Sequence, residues 1–537
     1  MRREALIISV IILIGLAGLA TFIAFYDSVF PTASLDFKIS RPQALKNARR
    51  FVTSRGFDLK GYQETIIFSH DYYAQIYMEK TIGLKEANRL MRKEVSVWYW
   101  RARWFKPLQK EEFRVCLDPG GRVVRYSHLL LEDAKGANLS KPQALKLARI
   151  FLTEEKDFNL SEYELVEVSK EKRKNRTDHY FNWKRKDFKI GDATYRLTVS
   201  VQGNRVDSFS EYLKVPEKFR RDYRKTRSRA GLLSQIAGSL QGLLFIGLIL
   251  VFMFKLRAND IRWRWALVLA SLAAFLILTA QINSLSLVRS YFSTKVTLSN
   301  EIIKWIFSAL IITGLGGLYL WFIGSSGESL YREVFPKKTP LIKSFRWRNI
   351  LSPEFTKASL VGYSVGFAFL GYLVVFYLFG KKYLGAWAPA HSPYDNIIST
   401  ALPWIYPLTV GVMAAVDEEF FFRLFAISFL KKYLKKIYLA VIIPAIIWGF
   451  LHCLYAVEPI YIRGLELTIA GIIFGIVFLR FGLFSVLIAH YVINALIVSL
   501  PLLRSKSPYF FISGLVVVGL ALLPIIPVVI RLLRRKR

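Results

Sequence analysis

Acidic residues are the first shortage. The 537-residue chain holds 39 Asp and Glu against 75 Lys and Arg, a formal net charge of +36. In a soluble protein that surplus would suggest nucleic acid. Here many basic residues flank long apolar runs, as orientation signals do, so nucleic acid is not an expected partner. Cysteine is nearly missing: Cys116 lies in a polar region and Cys453 in an apolar one. An intrachain disulfide is therefore not expected. Histidine is scarce too, with six residues. From about Tyr26 to Ala230 the chain also lacks any membrane-length apolar run.

Apolar length is abundant everywhere else. Hydrophobic residues make up 53% of the chain and the mean hydropathy is +0.32, the signature of an integral membrane protein with a substantial soluble part. Met1-Arg2-Arg3-Glu4 precedes an apolar run from Ala5 to Phe25 with no convincing small-residue cleavage site. That run reads as an uncleaved signal anchor. Further candidate spans fall near 232–254, 266–287, 302–323, 358–379, 402–430, 437–455, 465–479, 482–500 and 509–530, ten with the anchor. The stretches Lys255 to Arg264, Arg332 to Lys357, Lys431 to Lys436 and Arg531 to Arg537 are basic. A ten-span chain that starts inside puts all four in the cytoplasm with both termini. It puts residues 31–230 on the extracytoplasmic side of a cell membrane, where their basic surface can lie against lipid headgroups.

An internal repeat organises that polar region. Ser40-Arg41-Pro42-Gln43-Ala44-Leu45-Lys46 returns as Ser140-Lys141-Pro142-Gln143-Ala144-Leu145-Lys146. Ser followed by Pro two residues later marks a helix start, with Ser as cap and Pro in the first turn. Each repeat ends in strand-like sequence around a turn, Pro119-Gly120-Gly121 in one and Gly203-Asn204 in the other. Two α+β modules are expected, about 35–130 and 135–215, and their helix-then-hairpin order resembles PepSY-type domains. The fold class is thus mostly α: a polytopic helical membrane bundle with an α+β extracytoplasmic domain. The divisions are an anchor at 1–30, the repeat domain at 31–230, additional transmembrane helices and a cytoplasmic loop at 231–357, and a membrane domain at 358–537.

Chemistry concentrates in the last of these. Adjacent carboxylates in a membrane segment cost about 2.5–3.5 kcal/mol each on insertion scales, so Asp417-Glu418-Glu419 must face a wet or protein-lined interior. Two later segments carry matching polar groups, Trp448-xxx-His452 and His490-xxx-Asn494. At ~1.5 Å per residue, Glu418 lies about 18 Å, His452 about 22 Å and His490 about 12 Å from the inner ends of their spans, all near mid-membrane. Glu419 and Arg423, four apart, can form an ion pair. That leaves Glu418, about 100° round the helix, free to point elsewhere. A carboxylate base, two imidazoles and an amide can activate a water and stabilise an oxyanion. Glu418, His452 and His490 are equally the ligand types of a zinc site with one open position, which makes Zn2+ the candidate cofactor. Trp448 reads as wall, Cys453 as small packing, and His391 as a loop residue. His70, His128 and His179 have no partner visible in the sequence.

Glu-Glu-x-x-x-Arg, aromatic-x-x-x-His and His-x-x-x-Asn on successive membrane helices resemble the CPBP family, the CAAX-protease and bacteriocin-processing (Abi) intramembrane proteases. The matching residues are Glu418, Glu419 and Arg423, then Trp448 and His452, then His490 and Asn494, within about 358–530. Trp448 stands where the family usually has Phe. The resemblance implies a CAAX-type intramembrane endopeptidase in which Glu418 activates water with His452, while His490 and Asn494 bind the oxyanion. A peptide or membrane-protein substrate follows. Two other classes share these residues: a non-catalytic membrane scaffold or immunity protein, and an ion transporter using them as a relay.

Overall fold

The computed structural model describes residues 2–30, 38–338, 349–390 and 397–535. The chain opens with α1 (Arg2–Val29), a long apolar helix. The soluble domain follows, carrying α2 (Arg41–Ser54), α3 (Tyr72–Ile82), α4 (Leu84–Lys93) and α5 (Lys141–Ile150). The repeated motif does start helices: Ser40 caps α2 by accepting from the Gln43 amide, and Ser140 and Gln143 form a capping box on α5. The small residues Ala44, Ala48, Ala144 and Ala148 are fully buried where these helices meet the sheet.

The two repeats merge into one antiparallel sheet. Its first half is β1 (Gln63–His70), β2 (Trp98–Phe105), β3 (Glu112–Leu117) and β4 (Val123–Leu129); its second is β5 (Tyr163–Lys172), β6 (Thr177–Ile190), β7 (Ala193–Gln202) and β8 (Arg205–Lys214). The strand order β1-β2-β3-β4-β8-β7-β6-β5 joins the halves at β4 and β8, where Tyr126 faces Phe209. Trp100, Trp104, Phe113, Phe181, Trp183 and Phe209 fill the core along the sheet. The two expected α+β repeats join in one eight-stranded sheet, because each half ends in a strand that needs a partner.

Beyond β8, α6 (Glu217–Arg257) runs unbroken for 41 residues, about 60 Å and twice a bilayer core. It passes straight through position 230, so the expected domain boundary falls inside one helix. The remaining elements are α7 (Trp263–Asn283), α8 (Leu285–Ser290), α9 (Leu298–Val334), α10 (Pro353–Tyr383), α11 (Ile405–Glu418), α12 (Ser428–Leu434), α13 (Ile437–Leu451), α14 (Ile462–Phe481), α15 (Leu483–Leu503), α16 (Pro508–Ala521) and α17 (Ile525–Arg535). Between α11 and α12 the backbone stays helical but widens to a π-helix, Glu419–Ile427. Gly482, at φ +91°, turns α14 into α15 within one residue.

The chain is a multi-pass membrane protein. Among the described residues, eight helices are long and apolar enough to cross a membrane, or nine if α16 and α17, bent by 53°, make one span. The sequence reading expects ten, and length and composition alone support eight or nine of them. The missing span is 402–430, which is helical but carries Asp417, Glu418, Glu419 and Arg423. Its middle, Glu419 to Ile427, is at most 2% exposed. It is the interior helix of the bundle and meets protein where the others meet lipid. The sheet domain sits on the ends of these helices. Arg103 donates to the carbonyls of Ser290 and Phe292 at 3.1 and 2.7 Å, and the Phe68 amide donates to Ser399 Oγ at 2.7 Å.

Candidate active site

Three consecutive carboxylates on the interior helix fan out to three neighbours. Asp417 faces Tyr319 on α9. Glu418 accepts a hydrogen bond from Trp448 Nε1 on α13. Glu419, fully buried, accepts from His490 Nδ1 on α15 at 2.8 Å. One residue per step turns each side chain by roughly a quarter turn, so consecutive acids reach separate helices. The π-helical start at Glu419 sits at this branching point, a feature seen mostly at functional sites.

Each imidazole is held through Nδ1 and presents Nε2 to Glu418. His452 Nδ1 lies 2.8 Å from Trp448 O. A carbonyl only accepts, so Nδ1 carries the proton and Nε2 is left bare. That Nε2 is 4.0 Å from Glu418 Oε1. His490 is oriented by the Glu419 carboxylate, and its Nε2 is 3.8 Å from Glu418 Oε2. Glu418 and His452 keep about a fifth of their side-chain surface exposed, whereas His490 is 8% exposed.

The supporting layer is equally specific. Arg423 lies 3.1 Å from Glu419 Oε1 and stacks its guanidinium over the Trp448 ring at 4.2 Å and the Phe474 ring at 5.4 Å. Trp448 thus makes two contacts: its ring covers a buried cation and its N–H holds Glu418. Phe474 had no signal in the sequence beyond being apolar. Asn494 lies one helical turn beyond His490 and is partly exposed. The structure brings Glu418, His452 and His490 together.

For a metal, Glu418, His452 and His490 have suitable donor chemistry. Among the described residues, however, no three His, Cys, Asp or Glu side chains are spaced to hold an ion. Elsewhere, His128 has the partners the sequence hid: Nδ1 is 3.2 Å from Asp207 Oδ1 and Nε2 is 2.8 Å from Glu111 Oε1. His179 lies 2.9 Å from Leu139 O. His391 lies outside the described residues.

Residues 400–496 match the family model described as type II CAAX prenyl endopeptidase Rce1-like. This segment is similar to Rce1-like endopeptidase domains. It contains every candidate residue from Glu418 to Asn494, and the match stops short of the sheet domain. Over 327 residues the chain is 24% identical to the sporulation-killing factor biosynthesis protein SkfC of Bacillus subtilis (strain 168), which covers 59% of this chain. The chain matches 61% of that relative's length, so the likeness to it reaches well beyond the Rce1-like domain. No solved structure matches.

Proposed function

We propose that the chain is an intramembrane peptidase that hydrolyses peptide bonds of membrane-associated or CAAX-like substrates. The observation that carries this reading is the convergence of two Nδ1-anchored imidazoles on the Glu418 carboxylate inside a helical bundle. Glu418 takes a proton from a water bound between it and His452. The hydroxide attacks the scissile carbonyl, and the oxyanion is met by His490 and the Asn494 amide. The proton then passes to the leaving amine. Glu419 holds the His490 ring in place through Nδ1 as this proceeds.

If a zinc ion is bound, Glu418, His452 and His490 are the residues that would hold it, and it would supply Lewis acidity and an acidified water. The Rce1-like match supports the peptidase class. The likeness to a biosynthesis protein favours maturation of a defined peptide as the substrate role. Both termini are assigned to the cytoplasm and the sheet domain to the outside. The basic end of the bundle, with Lys255, Arg332 and Lys432 in one ion-pair network, supports that orientation.

The test compares wild type and Glu418→Gln in nanodiscs with a library of membrane-associated peptides, with and without chelator. Cleavage by wild type alone is expected; cleavage by both proteins removes Glu418 as the base. Loss of activity with chelator would show that a bound metal ion is required, and restoration by Zn2+ would assign zinc. Equal cellular function of the two proteins would instead favour a scaffold.

A further inference from the structure

His452 opens a short 3₁₀ turn, His452–Leu454, at the end of α13. Carbonyls at a helix C-terminus have no partner within their own helix. Here they are taken by α6, an element outside the Rce1-like domain. Ser234 Oγ donates to Leu451 O at 2.8 Å. Arg227 Nη2 donates to Leu454 O and, at 3.5 Å, reaches Cys453 O. These contacts bracket His452 on both sides in sequence. Ser234 is 8% exposed, and Arg227 Nη1 is buried without an acceptor. A cation at a helix C-terminus also suits the helix dipole.

The imidazole of His452 is fixed to the backbone of its own helix end through Trp448 O. Its direction therefore follows the backbone of 448–454, and any shift of that turn changes the 4.0 Å gap to Glu418. The same α6 is locked to the sheet domain just before it reaches the turn. The Tyr223 and Tyr72 hydroxyls share a 2.8 Å hydrogen bond, and Phe219 packs edge-on against Tyr77 at 4.9 Å. Arg227 lies one turn beyond Tyr223.

We propose that Arg227 and Ser234 are positioning residues for His452, through which the sheet domain sets the aim of the catalytic imidazole. The proposal rests on the peptidase reading above, and it gives the sheet domain a place in the reaction that the Rce1-like domain alone does not supply.

The experiment uses the full chain in nanodiscs with Arg227→Ala and Ser234→Ala, alone and combined. Arg227→Lys and Ser234→Thr are the conservative variants. Ser239→Ala is the control, an exposed α6 residue whose hydroxyl bonds only to its own helix. On a peptide that wild type cleaves, the double variant should lose about 100-fold in kcat while KM stays within about twofold, and the conservative pair should recover most of the loss. Independently of turnover, hydrogen exchange should speed at the amides of 452–455 and hold at 437–447. An unchanged kcat overturns the proposal, as does a rise in KM alone or an unaltered exchange pattern. Should wild type cleave nothing, the peptidase reading fails, and the exchange measurement still decides whether α6 holds the turn.

Discussion

Glu418 and Glu419 are neighbours in sequence and opposites in environment. Glu419 is sealed between Arg423 and His490, while Glu418 is about a fifth exposed and is held by one indole N–H. That single donor makes Trp448 a sharp probe. Phenylalanine would keep the ring over Arg423 and lose the N–H. A hydrogen bond to a charged group contributes about 1.5–3 kcal/mol, so Trp448→Phe should lower kcat at least about tenfold with little change in KM or in thermal unfolding. Steady-state kinetics beside a melting curve separates this from a packing defect. A wild-type kcat would return Trp448 to the role of wall. The spacing of Glu419 and Arg423 was legible in the sequence because a pair four apart shares a helix face. The Nδ1 anchors were not, since which carbonyl or carboxylate meets a ring depends on a different helix.

At the scale of elements, the site depends on α13 lying almost on top of α14. A Cβ on Gly449 would come within 2.5 Å of Gly464 O and of Thr468 Oγ1, a distance that real side chains do not adopt. Gly449 follows Trp448 directly. Gly449→Val should therefore push α13 outward, costing about 1–3 kcal/mol as overpacking does and separating His452 from Glu418. We expect a lower unfolding temperature together with lost cleavage; a variant that melts like wild type would show that the two helices have room to part. The π-helical stretch works at this same scale. All nine residues of Glu419–Ile427 are buried, because neighbouring helices surround this one on every side.

At the scale of the whole molecule, the sheet domain and the membrane bundle meet through buried polar groups. Glu79 on α3 is 1% exposed. It accepts from Gln75 Nε2 at 2.8 Å and from the Ala390 amide at 3.3 Å, and Gln75 in turn donates to Ala390 O at 2.7 Å. Burial pushes the Glu79 carboxyl up from 4.5 to about 7. The folded protein therefore holds a proton between those values that the unfolded chain has released. The stability linked to that proton is fully present below pH 4.5 and is lost as pH rises through about 7. The difference amounts to about 3 kcal/mol. Melting temperature measured from pH 5 to 8 should fall for wild type and stay flatter for Glu79→Gln. Parallel curves would show that Glu79 does not control this joint. Nearby, Lys80 pairs with Glu458 and fastens the same face.

The sequence by itself determined the class of the protein, the repeat that builds the soluble domain and the three motifs of the site. Each rests on local physics: apolar length against a bilayer, a Ser cap ahead of Pro, and the cost of charge in hydrocarbon. It could not settle the span count, because the most charged helix is hidden by its neighbours and its own composition does not reveal that. Nor did it show that the two repeats share one sheet through β4 and β8, since strand pairing across about 80 residues leaves no local mark. Only the tertiary structure joined α6 to the His452 turn. That contact is made by one serine and one arginine, residue types that read as ordinary surface until the carbonyls they serve are seen beside them.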